Sequence, residues 1–165
     1  SQSMAQYSRL LARFTRGLVQ TLPVTEAFVF HTELHRVTEI FKESDLETLR
    51  VRLEGMTQLW FGGTRIAESL KALNDGYGAQ VLGSRTVVMI MSDGFDTDAP
   101  EELAEELGRI RRRSRRVLWM NPMAGREGYQ PDAAGLAPAL AHVDRMLPAH
   151  SVDSLATLVD ELTGF

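Results

Sequence analysis

Val87-Val88-Met89-Ile90-Met91-Ser92-Asp93-Gly94 is the most informative run in this chain. Its five consecutive apolar residues follow Gly83-Ser84-Arg85-Thr86 and stop at Ser92-Asp93-Gly94. An apolar run of that length without alternation fits a strand buried on both faces, as parallel strands in α/β domains are. Asp93 then falls just past the strand, and the carboxyl ends of parallel strands form the ligand-binding edge of an open sheet. Taken alone, Asp93-Gly94 also serves as ordinary turn chemistry leading into the next helix.

Working outward, Val117-Leu118-Trp119-Met120 reads as a second strand ending at Asn121-Pro122. Between the two, a helix from about Pro100 to Arg112 has Asp98 and Glu101 placed as cap and box partner. Upstream, Tyr7, Leu10, Leu11, Phe14 and Leu18 recur at helical spacing, with Ser3 and Gln6 as a capping pair. Glu26–His31 and His35–Ile40 read as two strands of a hairpin joined at Thr32-Glu33-Leu34. Leu46–Leu53 reads as a short helix, followed by a loop through Gly55, Trp60, Phe61 and Gly62-Gly63. Thr64 opens a further helix that Asn74-Asp75-Gly76 should end. A helix near Ala133–His142 and a last one over Val152–Leu162, capped by Ser151, complete the chain. The alternation predicts an α/β, doubly wound, Rossmann-like, mainly parallel sheet with one antiparallel edge strand and helices on both faces.

Composition narrows the function classes. The chain has 165 residues, suiting one domain over 1–165, and its net charge of -4 provides no general basic field for nucleic acid. It has no cysteine, which excludes disulfides and cysteine-ligated zinc or iron–sulfur sites. A reducing, cytoplasmic location is compatible with that. No apolar run approaches the ~20 residues of a membrane span, and the opening residues have no signal-peptide character.

Ser1 and Ser3 before the first helix, Thr64 after the glycine pair and Asp93 after the central strand all belong to strand-to-helix junctions on one sheet edge. Hydroxyls and a carboxylate are hard oxygen ligands, and Mg²⁺ is the cation that accepts few protein ligands while keeping several waters.

The ordered set Ser1-Gln2-Ser3-Met4, Gly62-Gly63-Thr64 and Ser92-Asp93-Gly94 resembles the metal-ion-dependent adhesion site of von Willebrand factor type A (VWA) domains. Its pattern is Asp-x-Ser-x-Ser, then a distant Thr, then a distant Asp. Tyr7-Ser8-Arg9, Phe28-Val29-Phe30, Trp60-Phe61-Gly62-Gly63-Thr64-Arg65-Ile66, Trp119-Met120-Asn121-Pro122, Gly128-Tyr129 and Leu147-Pro148-Ala149-His150 resemble the CoxE-like subgroup. The resemblance extends over essentially the whole chain. It places the family's first aspartate two residues before Ser1, at the end of a central strand. The expectation is therefore an N-terminally truncated VWA-like domain, with weak or absent metal for want of that carboxylate. A missing central strand would leave backbone groups unpaired, so a strand exchanged within a homo-oligomer, or a rearranged sheet, is also expected.

The resemblance implies a binding module rather than an enzyme. Ser1, Ser3 and Thr64 would hold Mg²⁺ or Mn²⁺ directly, Asp93 directly or through water, and a partner's acidic side chain would complete the shell. The expected partner-binding residues around that edge are Trp60, Phe61, Gly63, Arg65 and Phe95. CoxE-like proteins are associated with MoxR-type AAA+ ATPases and with maturation of molybdenum carbon monoxide dehydrogenase and related hydroxylases. By that analogy the chain is an adaptor in an assembly or chaperone system.

The competing reading is a Mg-dependent phosphatase-like hydrolase using Asp93, Asp96 and Asp98, closely spaced after a buried parallel strand. Other features read structurally. The basic run Arg109, Arg111, Arg112, Arg113, Arg115 and Arg116 reads as a solvated helix end rather than a phosphate contact. Glu101, Glu102, Glu105 and Glu106 start the same helix and complement its dipole, with Glu105 spaced to pair with Arg109; a docking patch for an acidic partner is the lesser alternative. His31, His35, His142 and His150 read as structural or surface residues.

Overall fold

The computed structural model describes residues 7–22, 24–43, 45–57, 63–125, 127–130 and 136–156. Two short strands, β1 (Phe28–Phe30) and β2 (Leu34–Arg36), form the expected antiparallel hairpin, Phe28 facing Arg36 and Phe30 facing Leu34. The main sheet holds three parallel strands, β3 (Val87–Met91), β4 (Arg116–Asn121) and β5 (Arg145–Pro148), in the order β3-β4-β5. Among the described residues the hairpin forms a small antiparallel sheet beside the parallel one.

Burial follows position in that sheet. β4 is paired on both sides, and Val117, Leu118, Trp119 and Met120 are all fully buried. In β3 only Ile90 is buried and its neighbours are half-buried, which corrects the expectation that the apolar run is buried on both faces. Among the described residues β3 pairs with β4 alone. β5 was not expected from sequence; it is four residues long and ends in a proline, a residue confined to strand ends and edges.

Alternating side chains divide the core into two faces. On one, Ile90, Val117 and Trp119 pack with Leu103, Leu107 and Ile110 of α6 (Pro100–Arg113) and with Ile66 and Leu70 of α4 (Ile66–Ala72). Leu136 and Ala139, the latter in the short α7 (Ala137–Leu140), join this face. On the other, Leu118 and Met120 meet Leu11 of α1 (Ser8–Thr21) and Leu155 of the last helix, described over 152–156. A third cluster, Val19, Ala27, Val37, Phe41 and Leu49, binds α1 and the hairpin to α2 (Thr38–Glu43) and α3 (Leu46–Thr57). Helices therefore cover both faces of a parallel sheet.

Several boundaries differ from expectation. Thr38–Glu43 is helical rather than the end of the second hairpin strand. The Thr38 hydroxyl accepts from Ala27 N–H (3.0 Å) and donates to Glu26 (2.6 Å), turning the chain at the point where the strand should continue. Asp45 caps α3 through Glu47 and Thr48 N–H, and the helix runs on to Thr57. Asn74-Asp75-Gly76 does not end α4. The chain continues through a π turn (Leu73–Tyr77) into α5 (Gly78–Val81), and buried Asn74 donates to the carbonyl and side chain of Glu106. Tyr7 is the N-cap of α1 and makes no side-chain capping bond to the helix; the proposed cap residues Ser3 and Gln6 lie outside the described residues. Ser151 does cap the last helix, its hydroxyl accepting from Ser154 N–H at 3.2 Å.

Candidate functional site

The carboxyl ends of β3, β4 and β5 lie side by side, and the loops that leave them are built from polar residues held by backbone contacts. Ser92 continues the ladder by donating its N–H to the Met120 carbonyl (3.1 Å), while its own carbonyl accepts from the indole of Trp119 (2.9 Å). Asp93 follows with only 1% of its surface exposed, and its carboxylate accepts from Phe95 N–H at 3.2 Å. Gly94 has φ +84, the left-handed region that favours glycine, and a Cβ there would run into the Leu136 side chain. The Asp-Gly pair is thus a tight turn that buries a carboxylate at the strand end. The turn reading of Asp93-Gly94 is borne out.

Asp96 and Asp98 have a different role from either one expected. The two oxygens of Asp96 accept from Ile66 N–H and Ala67 N–H, both at 3.0 Å. Asp98 accepts from Glu68 N–H (3.1 Å) and from Nε of Arg65 (3.0 Å). Both carboxylates therefore cap α4, whose first N–H groups have no partner within the helix. Asp98 does not cap α6, which starts with Pro100 after an Ala99 N-cap that makes no side-chain bond. Asp96 and Asp98 are thus accounted for by the capping of α4, and Asp93 by its own turn, in which it accepts from Phe95 N–H.

The same loop holds the segment containing Thr64. The Thr64 carbonyl accepts from the backbone N–H and the hydroxyl of Thr97, both at 3.0 Å. Thr97 lies so close to Gly63 that any Cβ there would collide with its methyl group. Gly63 is exposed and Thr64 half-exposed. Thus the Gly63-Thr64-Arg65 and Asp93–Asp98 segments, distant in sequence, lie against each other on the carboxyl edge. Arg65 pairs with Asp98 and Glu68 and donates its N–H to the His31 carbonyl (2.7 Å), tying the hairpin to this edge. Phe95 is 51% exposed beside Asp93. Ser1, Ser3, Trp60 and Phe61 lie outside the described residues.

Sequence reasoning did not assign a site role to Asn121 and Tyr129. Asn121 is fully buried at the end of β4. Its amide donates to the Asp93 carbonyl (3.1 Å) and to the Tyr129 hydroxyl (2.5 Å), and its oxygen accepts from Met123 N–H (2.8 Å). Burial pushes the Tyr129 phenol above its ordinary value of 10.0; the Asn121 hydrogen bond opposes this and the Asp93 charge adds to it. That charge effect places Tyr129 within electrostatic reach of Asp93. The available signal was positional, because Asn121 ends β4 level with Ser92, which directly follows β3.

Arg109 pairs with Glu106 (2.8 Å) and Asp75 (2.6 Å), rather than the expected Glu105. Among the described residues no three His, Asp or Glu side chains gather as a metal cluster, and no helix is long and apolar enough to cross a membrane. A family model described as VWA domain containing CoxE-like protein matches residues 1–155. No curated protein matches the chain.

Proposed function

We infer the function from one premise, that the chain belongs to the family of CoxE-like proteins containing a VWA domain. VWA domains generally act as protein-interaction modules, and this chain is such a module. The finer reading is that it binds its partner through a divalent cation. Thr64 and Asp93, together with Ser1 and Ser3, would hold Mg²⁺ or Mn²⁺, whose preference is for hydroxyl, carboxylate and water oxygen. When bound, the ion would supply a positive, exchangeable position that an incoming Asp or Glu can occupy. The chain's own residues do the positioning. Gly94 makes the turn that buries Asp93, and Asn121 holds the Asp93 carbonyl. Phe95, with Gly63 and the adjacent Trp60 and Phe61, would form the rim that a partner touches. Arg65 would join that rim while remaining paired to Asp98.

The observation that carries this reading is the joining of the Thr64 and Asp93 segments through Thr97, Asp96 and Asp98. A hydroxyl and a buried carboxylate from different junctions are thereby held on one edge, and such a donor set fits a hard cation. Two junctions give a metal site its geometry only if neither moves alone. The partner we propose is a MoxR-type AAA+ ATPase or its client, in cytoplasmic assembly of a metalloenzyme of the molybdenum carbon monoxide dehydrogenase type.

Thermal unfolding with and without millimolar Mg²⁺ or Mn²⁺, run beside Asp93→Ala, tests the metal. At a concentration equal to Kd, a ligand of the folded state alone adds about 0.4 kcal/mol. A metal-dependent rise in the parent that is absent from the variant is the expected result. An equal rise in both would remove Asp93 from the site, and no rise in the parent would show that this chain binds no such ion at these concentrations. Co-elution with a purified MoxR-type ATPase in Mg²⁺, lost on adding chelator, is the expected partner result.

A further inference from the structure

The opposite edge of the sheet carries a different chemistry. Arg85 lies in the turn before β3, Arg115 just before β4, and Arg145 is the first residue of β5. Pairing makes the first two neighbours: Val87 faces Arg116, and Arg115 N–H donates to the Thr86 carbonyl at 2.8 Å. Arg145 faces Leu118 on the far side of β4. The last turn of α6 adds Arg112 and Arg113 at its negative dipole end. These five arginines are exposed. Arg109 and Arg111, earlier on the same helix, are paired to Asp75 and Glu106 and to Asp144. Three separate connections thus place arginine on one edge of a chain whose net charge is -4. The carboxyl edge instead carries Asp93, Asp96, Asp98 and the Glu101-Glu102 start of α6.

We propose that this arginine rim on the amino edge is a docking surface for an acidic polypeptide segment, separate from the Asp93 edge. Arginine's planar fork matches carboxylates in pairs. Strands lie ~4.8 Å apart, so the rim spans only about 10 Å from β3 to β5, the reach of roughly three residues of extended peptide. Duplex binders that neutralise roughly six to ten phosphates need a longer track. Positions 83–86, 111–116 and 144–145 also contain no aromatic residue on which bases could stack. An acidic peptide therefore fits this rim better than a nucleic acid.

The test measures fluorescence anisotropy of a labelled oligoglutamate peptide and of a labelled duplex DNA of similar length, titrated with the full chain at low and moderate salt. The comparison variant is Arg85→Ser with Arg112→Ser and Arg113→Ser; the control is Arg9→Ser with Arg13→Ser and Arg52→Ser, three exposed arginines elsewhere. The peptide should bind the parent and the control alike, weaken with salt, and lose roughly tenfold in affinity in the rim variant if each exposed pair has its usual strength. Should the triple variant melt early, Arg112→Ser and Arg113→Ser read singly replace it. Equal peptide affinity in rim variant and parent, no binding by the parent, or tighter binding of the duplex would each overturn the proposal.

Discussion

Replacing Asp96 with alanine removes the acceptor of three backbone donors at once: Ile66 N–H, Ala67 N–H and Asp98 N–H, each at 3.0 Å. Two of these belong to the first turn of α4 and have no other helical partner. Loss of a capping side chain costs ~1 kcal/mol on average, and hydrogen bonds to a charged acceptor contribute ~1.5–3 kcal/mol. Asp96 is half-buried, so water recovers part of the loss, and the expected cost is about 2 kcal/mol. For a chain of this length each kcal/mol moves the midpoint by roughly 2–4 °C, so Asp96→Ala should melt about 4–8 °C below the parent. Asp96→Asn keeps one acceptor oxygen and should lose about half as much. Circular dichroism in urea, with an unchanged slope, separates a stability loss from altered compactness. A variant that unfolds with the parent midpoint would refute the capping assignment. The same protein decides the catalytic alternative. Hydrolysis of an aryl phosphate by the parent, abolished in Asp96→Ala without any loss of stability, would make Asp96 a nucleophile instead of a cap.

Gly94→Ala combines a left-handed φ of +84 with a collision against Leu136 and should cost about 1–3 kcal/mol, read as a lower urea midpoint; an unchanged midpoint would contradict the turn. Asn121→Leu strands the Asp93 carbonyl, the Tyr129 hydroxyl and Met123 N–H, and should destabilise by roughly 2–4 kcal/mol, whereas Tyr129→Phe should cost only about 1 kcal/mol. In an alkaline titration followed by phenolate absorbance, Asp93→Asn should move the Tyr129 step down toward 10.0, because the charge that adds to the effect of burial is gone. Glu26 is held below its ordinary value of 4.5, chiefly by its hydrogen bond from Arg36. Its contribution to stability is therefore full above 4.5 and lost as pH falls through the folded-state value. Glu26→Gln should flatten the acid side of the stability profile, and an unaltered acid limb would show that the pair contributes nothing.

How much of this was legible in the sequence varied with the kind of signal. The strands Val87–Met91 and Arg116–Asn121 and the helix from Pro100 were readable because apolar runs and helical spacing are local. Asp93 was readable as a strand-end carboxylate for the same reason. The degree of burial of β3 was not, since it depends on which strands pair beside it rather than on its own composition. Val37-Thr38-Glu39-Ile40 has the β-branched content of a strand, yet a side-chain contact between Thr38 and Glu26 redirects it into a helix. Asp98 fitted the capping rule for Pro100 in sequence, but folding offered it the start of α4, more than thirty residues upstream. Asn121 and Tyr129 stayed without a role for a similar reason. The contact of Asn121 with the Asp93 carbonyl forms only when β4 lies against β3, and no local pattern encodes that pairing.

These long-range contacts make the carboxyl edge a continuous structure. From the hairpin, the His31 carbonyl accepts from Arg65; Thr64 accepts from Thr97; the same loop begins at Asp93, whose carbonyl accepts from Asn121; and the Asn121 carbonyl accepts from Ala149 after β5. Four connections that a flexible edge would leave independent are thus linked by bonds involving at least one backbone group each. A binding edge arranged this way loses little conformational freedom when a ligand arrives, so more of the contact energy remains as affinity. It also means that residues far from any ligand can set the position of Asp93. Asn121 holds the Asp93 carbonyl through its side-chain amide and Thr97 holds the Thr64 carbonyl, so both fix the segments that carry Asp93 and Thr64. Under the proposed function, substitutions there should weaken binding in proportion to the order they remove from the edge, so that the proposed binding through Asp93 would depend on the whole linked edge rather than on its exposed residues alone.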